Sequence, residues 1–169
     1  MRKYIFIVLV ITLSSCGIFQ NSNSKGDQAK YISLAKTGND TTLYVMHNFI
    51  NGKAKYIGKP LKELLKDLEI PIVSYRLDVP VQNEFKGPWT YGSIKLSPYT
   101  IKEASKRFDA NEKPVSILIS WPERLLDAPL DSVYDMTKGK WTEASINFFQ
   151  NTIIGDIRTV NYNRPVPKQ

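Results

Sequence analysis

Thiols and imidazoles are nearly absent from this 169-residue chain, which carries one cysteine, Cys16, and one histidine, His47. A single cysteine closes no disulfide within the chain and supplies no cysteine metal set. Any Ser-His-Asp arrangement would have to be built on His47 alone. Set between Met46 and Asn48, it reads as a polar surface or half-buried residue. Without further cysteines or histidines, zinc would depend mostly on carboxylates, which it uses less readily. Glycine loops of the GxxxxGK[ST] or GxGxxG type are missing, as is the calcium pattern DxDxDG. No cofactor and no metal are therefore expected. Long apolar runs are scarce too. The one at Tyr4 to Leu13 has about ten residues, too few to cross a hydrocarbon core of roughly 30 Å as a helix. With no second such run, the remainder is expected to be soluble.

What that first run does have is a context. Arg2 and Lys3 precede it, and it ends Leu13-Ser14-Ser15-Cys16-Gly17. A basic start, an apolar core and small residues before a cut read as a secretory signal peptide. The Leu-Ser-Ser-Cys ending resembles the bacterial lipobox. That resemblance implies a diacylglycerol on the Cys16 sulfur, cleavage before Cys16 and a lipid anchor in an envelope membrane. Two or three acyl chains hold a protein stably where one does so marginally, at about 0.8 kcal/mol per buried CH₂. A lipidated Cys16 also removes the only thiol from catalysis. Enterobacterial sorting retains a lipoprotein at the inner membrane when Asp follows the lipidated cysteine. Gly17 stands there, which favours the outer membrane, and the lack of acid before Asp27 favours its periplasmic face.

Removing residues 1–15 leaves 154 residues, enough for one domain with a genuine core. Their 21 basic and 16 acidic residues give a net charge near +5. Outside the cytoplasm, such a charge meets anionic headgroups, phosphorylated saccharides or cell-wall carboxylates rather than nucleic acid, besides keeping the protein soluble. Residues 16–30 are polar and read as a tether reaching about 20 Å. A domain is expected over 31–162, with an extended tail at 163–169.

Within that domain, the β-branched and aromatic run Thr42 to Ile50, followed by Asn51-Gly52 and Lys53 to Ile57, predicts a hairpin. Leu61, Leu64, Leu65 and Leu68 predict a core-packing helix behind Pro60, stopped at Ile70-Pro71. Ile72 to Val79 alternates Val73, Tyr75, Leu77 and Val79 against Ser74, Arg76 and Asp78, a half-exposed strand. Residues 80–88 read as a loop and Trp89 to Leu96 as a strand, with Gly92 at a bulge or close approach. Thr100 predicts a helix cap, with Ile101, Ala104, Ser105 and Phe108 on the inner face. Val115 to Trp121 predicts the central strand. Residues 122–139 look irregular, broken by Pro122 and Pro129, with a helical turn near Leu130 to Met136. Thr142 opens another helix with an Ile146, Phe149 and Ile153 stripe, and Ile157 to Tyr162 reads as a last strand. The expected fold is α+β: a mixed or mostly antiparallel sheet with about three short helices on one face.

Two constellations could carry chemistry. Glu123, Asp127, Asp131 and Asp135 recur every four residues and, on a continuous helix, would line one face as an acid/base pair or hard-cation site. A solvated loop with Asp127 or Asp131 capping a short turn is the favoured explanation, and four acids on one face repel one another unless a cation binds. Phe85, Trp89, Tyr91 and Tyr99 cluster around Gly87-Pro88 and Gly92, offering flat surfaces to a sugar ring or peptide. Lys86 and Lys95 are available there for an anionic group. The sequence thus points to a non-enzymatic, lipid-anchored module binding an envelope protein or glycan. The alternative is a carboxylate-dependent hydrolase or transglycosylase acting on cell-wall or capsule glycan, which needs those acids in a cleft.

Overall fold

Apolar residues that alternate along strands and recur every three or four along helices define the elements of the computed structural model, which describes residues 30–82 and 86–159. The leader, Cys16, the tether to residue 29, Phe85 and the 163–169 tail lie outside those residues. In chain order come α1 (Thr41–Val45), α2 (Leu61–Asp67), β1 (Ser74–Leu77), β2 (Val81–Gln82), β3 (Trp89–Ser97), α3 (Ile101–Asp109), β4 (Ile117–Leu126), α4 (Asp127–Thr137), α5 (Glu143–Phe149) and β5 (Asp156–Thr159). The fold class is α+β. The sheet is antiparallel throughout, in the order β1-β3-β4-β5, with β2 paired to the start of β3.

One sheet face makes the core. Tyr75, Ile94, Leu96, Ile117, Ile119 and Ile157 are buried there under Tyr44, Phe49, Leu61, Leu64, Leu130, Val133 and Phe149. Phe149 sits at the centre. Its ring stacks on Trp141 and Trp121 at 6.2 and 6.3 Å and meets Tyr75 and Phe148 edge-on at 5.3 and 4.9 Å. The opposite face carries serines and charges, and α3 alone among the five α-helices stands over it. The expectation of about three helices on one face is thus corrected to five helices on two faces.

The expected hairpin at 42–57 is instead helical: α1, a π-helical turn at Met46–Asn51 and a 3₁₀ turn at Lys53–Lys55. Local β propensity loses to capping and burial. Asp40 Oδ1 accepts from the amides of Thr42 and Leu43 at 2.8 and 2.9 Å, satisfying two orphan donors. Tyr44, Val45, Asn48 and Phe49 then fall on one buried helical face. A Cβ at Gly52 would collide with the Asn48 carbonyl oxygen, so this glycine permits a close approach rather than a hairpin turn.

The expected irregular stretch at 122–139 is also corrected. β4 continues to Leu126 and α4 runs for 11 residues, with Pro129 in its first turn, where no intrahelical N–H bond is lost. Pro122 is absorbed by a bulge. Tyr91 pairs with Leu125 and Ser93 with Ser120, so Gly92 faces the four residues Trp121–Arg124. The bulge fits because Gly92 and Gly155 approach it without side chains. The Gly155 amide donates to the Ser120 carbonyl at 2.7 Å.

Candidate functional site

The pairing of β1 with β3 sets Arg76 directly opposite Lys95, and Ser74 opposite Ser97. Strand alternation turns these four away from the core neighbours Tyr75 and Leu96. Ser116, just before β4, joins them. Across this floor lies α3, held at its start by a capping box. The Thr100 hydroxyl accepts from the Glu103 amide at 3.2 Å, and the Thr100 amide donates to Glu103 Oε2 at 2.9 Å. Those hydrogen bonds from the Thr100 backbone and side chain hold the Glu103 carboxyl below its ordinary range. At the other end, the Arg107 guanidinium lies 4.6 Å from the Tyr99 ring centroid and bonds Glu112 at 2.6 Å.

Between α3 and the sheet is a cavity of about 310 Å³. Ser74, Arg76, Lys95, Ser97 and Ser116 line the sheet side, and Ile101, Ala104, Ser105, Phe108 and Asp109 the helix side. Among the described residues, Asp109 is the one acid lining the cavity. Ser116 is 4 % exposed, and its hydroxyl has no hydrogen-bond partner among the described residues. Leaving such a group unsatisfied costs roughly 1–3 kcal/mol. The other buried side-chain polar atom without a partner among the described residues, Trp121 Nε1, sits in the core beside Phe149 and lines neither this cavity nor the one described next. A cavity with apolar walls and hydroxyls can hold a small polar ligand. Nothing in it forms a nucleophile–base pair.

A second cavity of about 230 Å³ opens beside Tyr31, Asn48, Lys55 and Tyr56. Its surroundings are committed to one another. The Tyr31 hydroxyl lies 2.8 Å from both the Asp67 carbonyl oxygen and Glu69 Oε1, two acceptors for its one proton, and Asp67 Oδ2 accepts from Lys55 Nζ at 2.6 Å and the Tyr56 hydroxyl at 2.8 Å. Desolvation, chiefly, raises the pKa of Tyr31 and Tyr56, while Lys55 above all lowers that of Asp67. This network fastens the segment before α1 to the end of α2.

The aromatic residues singled out in the sequence are divided by the fold. Trp89, 48 % exposed, and Tyr91 share one side of β3, while the exposed Val81 and Leu126 pair with Thr90 on the other. Tyr91 is buried and donates to Asp131 Oδ1 at 2.7 Å, which ties β3 to α4. Burial first, then that bond and the nearby acids, push its pKa up to about 12. Tyr99 lies beyond the opposite end of β3, a strand roughly 30 Å long at about 3.3 Å per residue. Lys86 is exposed, with a left-handed φ of 68°. Of this group's described residues, Lys95 alone lines the cavity under α3.

His47 lies in the π-helical turn, its Nε2 2.9 Å from the Lys30 carbonyl. Glu123 is exposed in the bulge. Asp127, Asp131 and Asp135 do share a helix, since α4 is continuous, but they go separate ways. Asp127 bonds the Ala128 amide, Asp131 accepts from Tyr91 and Asp135 pairs with Lys138 at 3.2 Å. None of the four lines either cavity. Among the described residues, no group of three or more His, Cys, Asp or Glu is placed to hold a metal.

Sequence reasoning named Arg76 only as the polar side of a strand and missed Ser97 and Ser116. The signal was available in the spacing Ser93-x-Lys95-x-Ser97 and Ser116-x-Leu118-x-Ser120, which marks a hydroxyl-rich second face. No protein-family model, curated protein or solved structure matches this chain, so its function is argued from its own residues.

Proposed function

We propose that this chain is a lipid-anchored envelope lipoprotein whose domain binds another envelope component without catalysing a reaction, at the cleft between α3 and the polar sheet face. The observation that carries the binding reading is the cleft itself. It is a preformed cavity at the small end of the roughly 300–1,000 Å³ range of small-molecule sites, with polar groups set among apolar walls. The anchor rests on Cys16 and the lipobox resemblance of the sequence before it. With Gly17 after the cysteine, the periplasmic face of the outer membrane is the proposed address. The hydrolase reading is the less supported one, because none of the four acids lines either cavity described above.

The test has two parts. Palmitate is incorporated by the wild-type chain and not by Cys16→Ala; equal labelling of both overturns the anchor. Capture from detergent-solubilised envelopes recovers a protein or glycan with the wild-type chain at native abundance. Recovery of nothing overturns the binding function.

A further inference from the structure

The geometry points to a small zwitterion as the ligand of the α3 cleft, a group carrying one carboxylate and one ammonium as a free amino acid or a short peptide does. This rests on the cleft being a binding site and adds what it recognises. The first observation is that a charge of each sign lines the cavity, Arg76 from the sheet and Asp109 from the helix. Neither side chain makes an ion pair or hydrogen bond among the described residues. Arginine matches a carboxylate with two parallel N–H bonds. Asp109 is the last residue of α3, at the negative end of the helix dipole, where an acid is disfavoured and an ammonium group is favoured. A ligand of one sign is attracted by one wall and repelled by the other, whereas a ligand carrying both is attracted by each. Lys95 and Phe108 border the same space but are already engaged in interactions of their own, so recognition is left to other groups.

The second observation is independent of charge. The buried Ser116 hydroxyl lines the same cavity with both its donor and its acceptor capacity unused among the described residues. It can donate to a carboxylate oxygen or accept from an ammonium, so either end of a zwitterion satisfies it. The third is the apolar part of the lining, Ile101, Ala104 and Val115, which suits a short aliphatic side chain. The cavity's small size fits one or two residues rather than a longer stretch of chain. A neutral sugar would meet the hydroxyl but would leave both charges without a partner.

The experiment is a calorimetric titration of the purified full-length chain in detergent with L-leucine, the dipeptide leucyl-leucine, L-leucinamide and 4-methylpentanoate. The last two keep only the ammonium and only the carboxylate. Wild type, Arg76→Gln, Asp109→Asn and Ser116→Ala are compared. Arg76 and Asp109 are exposed, so their variants are expected to keep the wild-type melting temperature. Leucine, leucyl-leucine or both are expected to bind wild type at least about tenfold more tightly than either single-charge analogue, and which of them binds tells a free amino acid from a peptide. Arg76→Gln is expected to bind the zwitterion about tenfold more weakly and leucinamide no more weakly. Asp109→Asn is expected to lose about tenfold for the zwitterion too, and to bind 4-methylpentanoate no more weakly. Ser116→Ala is expected to bind more weakly while its ligand-free melting temperature stays equal to wild type or rises, because an unsatisfied hydroxyl has been removed. A single-charge analogue binding as tightly as the zwitterions, no binding of either zwitterion, or unchanged affinity in any of the three variants overturns the proposal. An envelope component still captured in full by both charge variants would overturn the two-charge recognition while leaving the binding function standing.

Discussion

Replacing Gly155 by alanine isolates one contact on which the sheet depends. Its backbone lies outside the left-handed region, so alanine meets no conformational penalty there. What the new methyl meets is fixed backbone: the Pro122 nitrogen at 2.7 Å and the Trp121 carbonyl carbon at 2.8 Å. The first is about 0.7 Å inside ordinary contact, which begins near 3.4 Å. Neither atom can swing away, because both belong to the bulge that sets the β3–β4 register. Overpacking of this kind costs about 1–3 kcal/mol, and a site this rigid belongs at the upper end. Losing a glycine from the unfolded chain returns about 0.4–1 kcal/mol. The net destabilisation is about 2 kcal/mol, which at a urea m-value of roughly 1–3 kcal/mol per M lowers the midpoint by about 1 M.

Gly92→Ala is the internal control. Its methyl would come 2.5 Å from Arg124 Nη1, the far end of an exposed side chain. Moving it sacrifices the bonds from Nε and Nη2 to the Thr90 hydroxyl and carbonyl at 2.9 and 2.7 Å. At about 0.5–1.5 kcal/mol each, partly recovered in water and offset by the same gain in the unfolded chain, the net is within about 1 kcal/mol of wild type. Urea unfolding followed by tryptophan fluorescence gives both values. Gly155→Ala within about 0.5 kcal/mol of wild type, or less destabilised than Gly92→Ala, would refute the argument that backbone closeness at the bulge holds the register.

Two further outcomes follow from the core and from the charges. Phe149→Ala removes the fully buried ring against which Trp121, Trp141 and Tyr75 pack, and is expected to cost about 3–5 kcal/mol in the same unfolding assay; a loss below about 1 kcal/mol contradicts the central place given to it. The Asp67 carboxyl is held below its ordinary range, first by Lys55 and also by Tyr56. A depressed folded pKa contributes stability above the unfolded value of about 3.9, and that contribution is lost as pH falls through the folded value. Wild type is therefore expected to lose stability progressively below about pH 4, and Asp67→Asn to lose less over that window. Superimposable acid limbs would show that the Asp67–Lys55–Tyr56 cluster does not couple to folding.

Much of the architecture was legible wherever one local signal acted alone. The leucines of α2, the Thr100–Glu103 box of α3 and the apolar run of β4 each declare themselves by spacing and capping. Signals that compete locally were the ones misread. Thr42 to Ile50 has strand-forming residues but sits behind Asp40, whose side chain starts a helix, and burial of Tyr44 and Phe49 decides between the two. Pro129 looks like a breaker until its place in the first turn of α4 is known, and Pro122 until the bulge around it is. The candidate site was legible only in part for a different reason. Alternation shows that Arg76 and Lys95 each point away from the core, but not that they face each other. That depends on the register of β1 against β3, which the sequence of residues 78–88 leaves open because it offers no two-residue hairpin signal such as Asn-Gly.

The central proposal is that the domain binds its envelope partner at the cleft between α3 and the second face of the sheet. Amide NMR of the full-length chain in detergent, during titration with the component captured from solubilised envelopes, tests it most directly. The account predicts saturable shifts at Arg76, Ser97, Ser116 and along α3. Shifts gathered instead at Trp89, Val81 and Leu126, or none on adding the captured component, would contradict it.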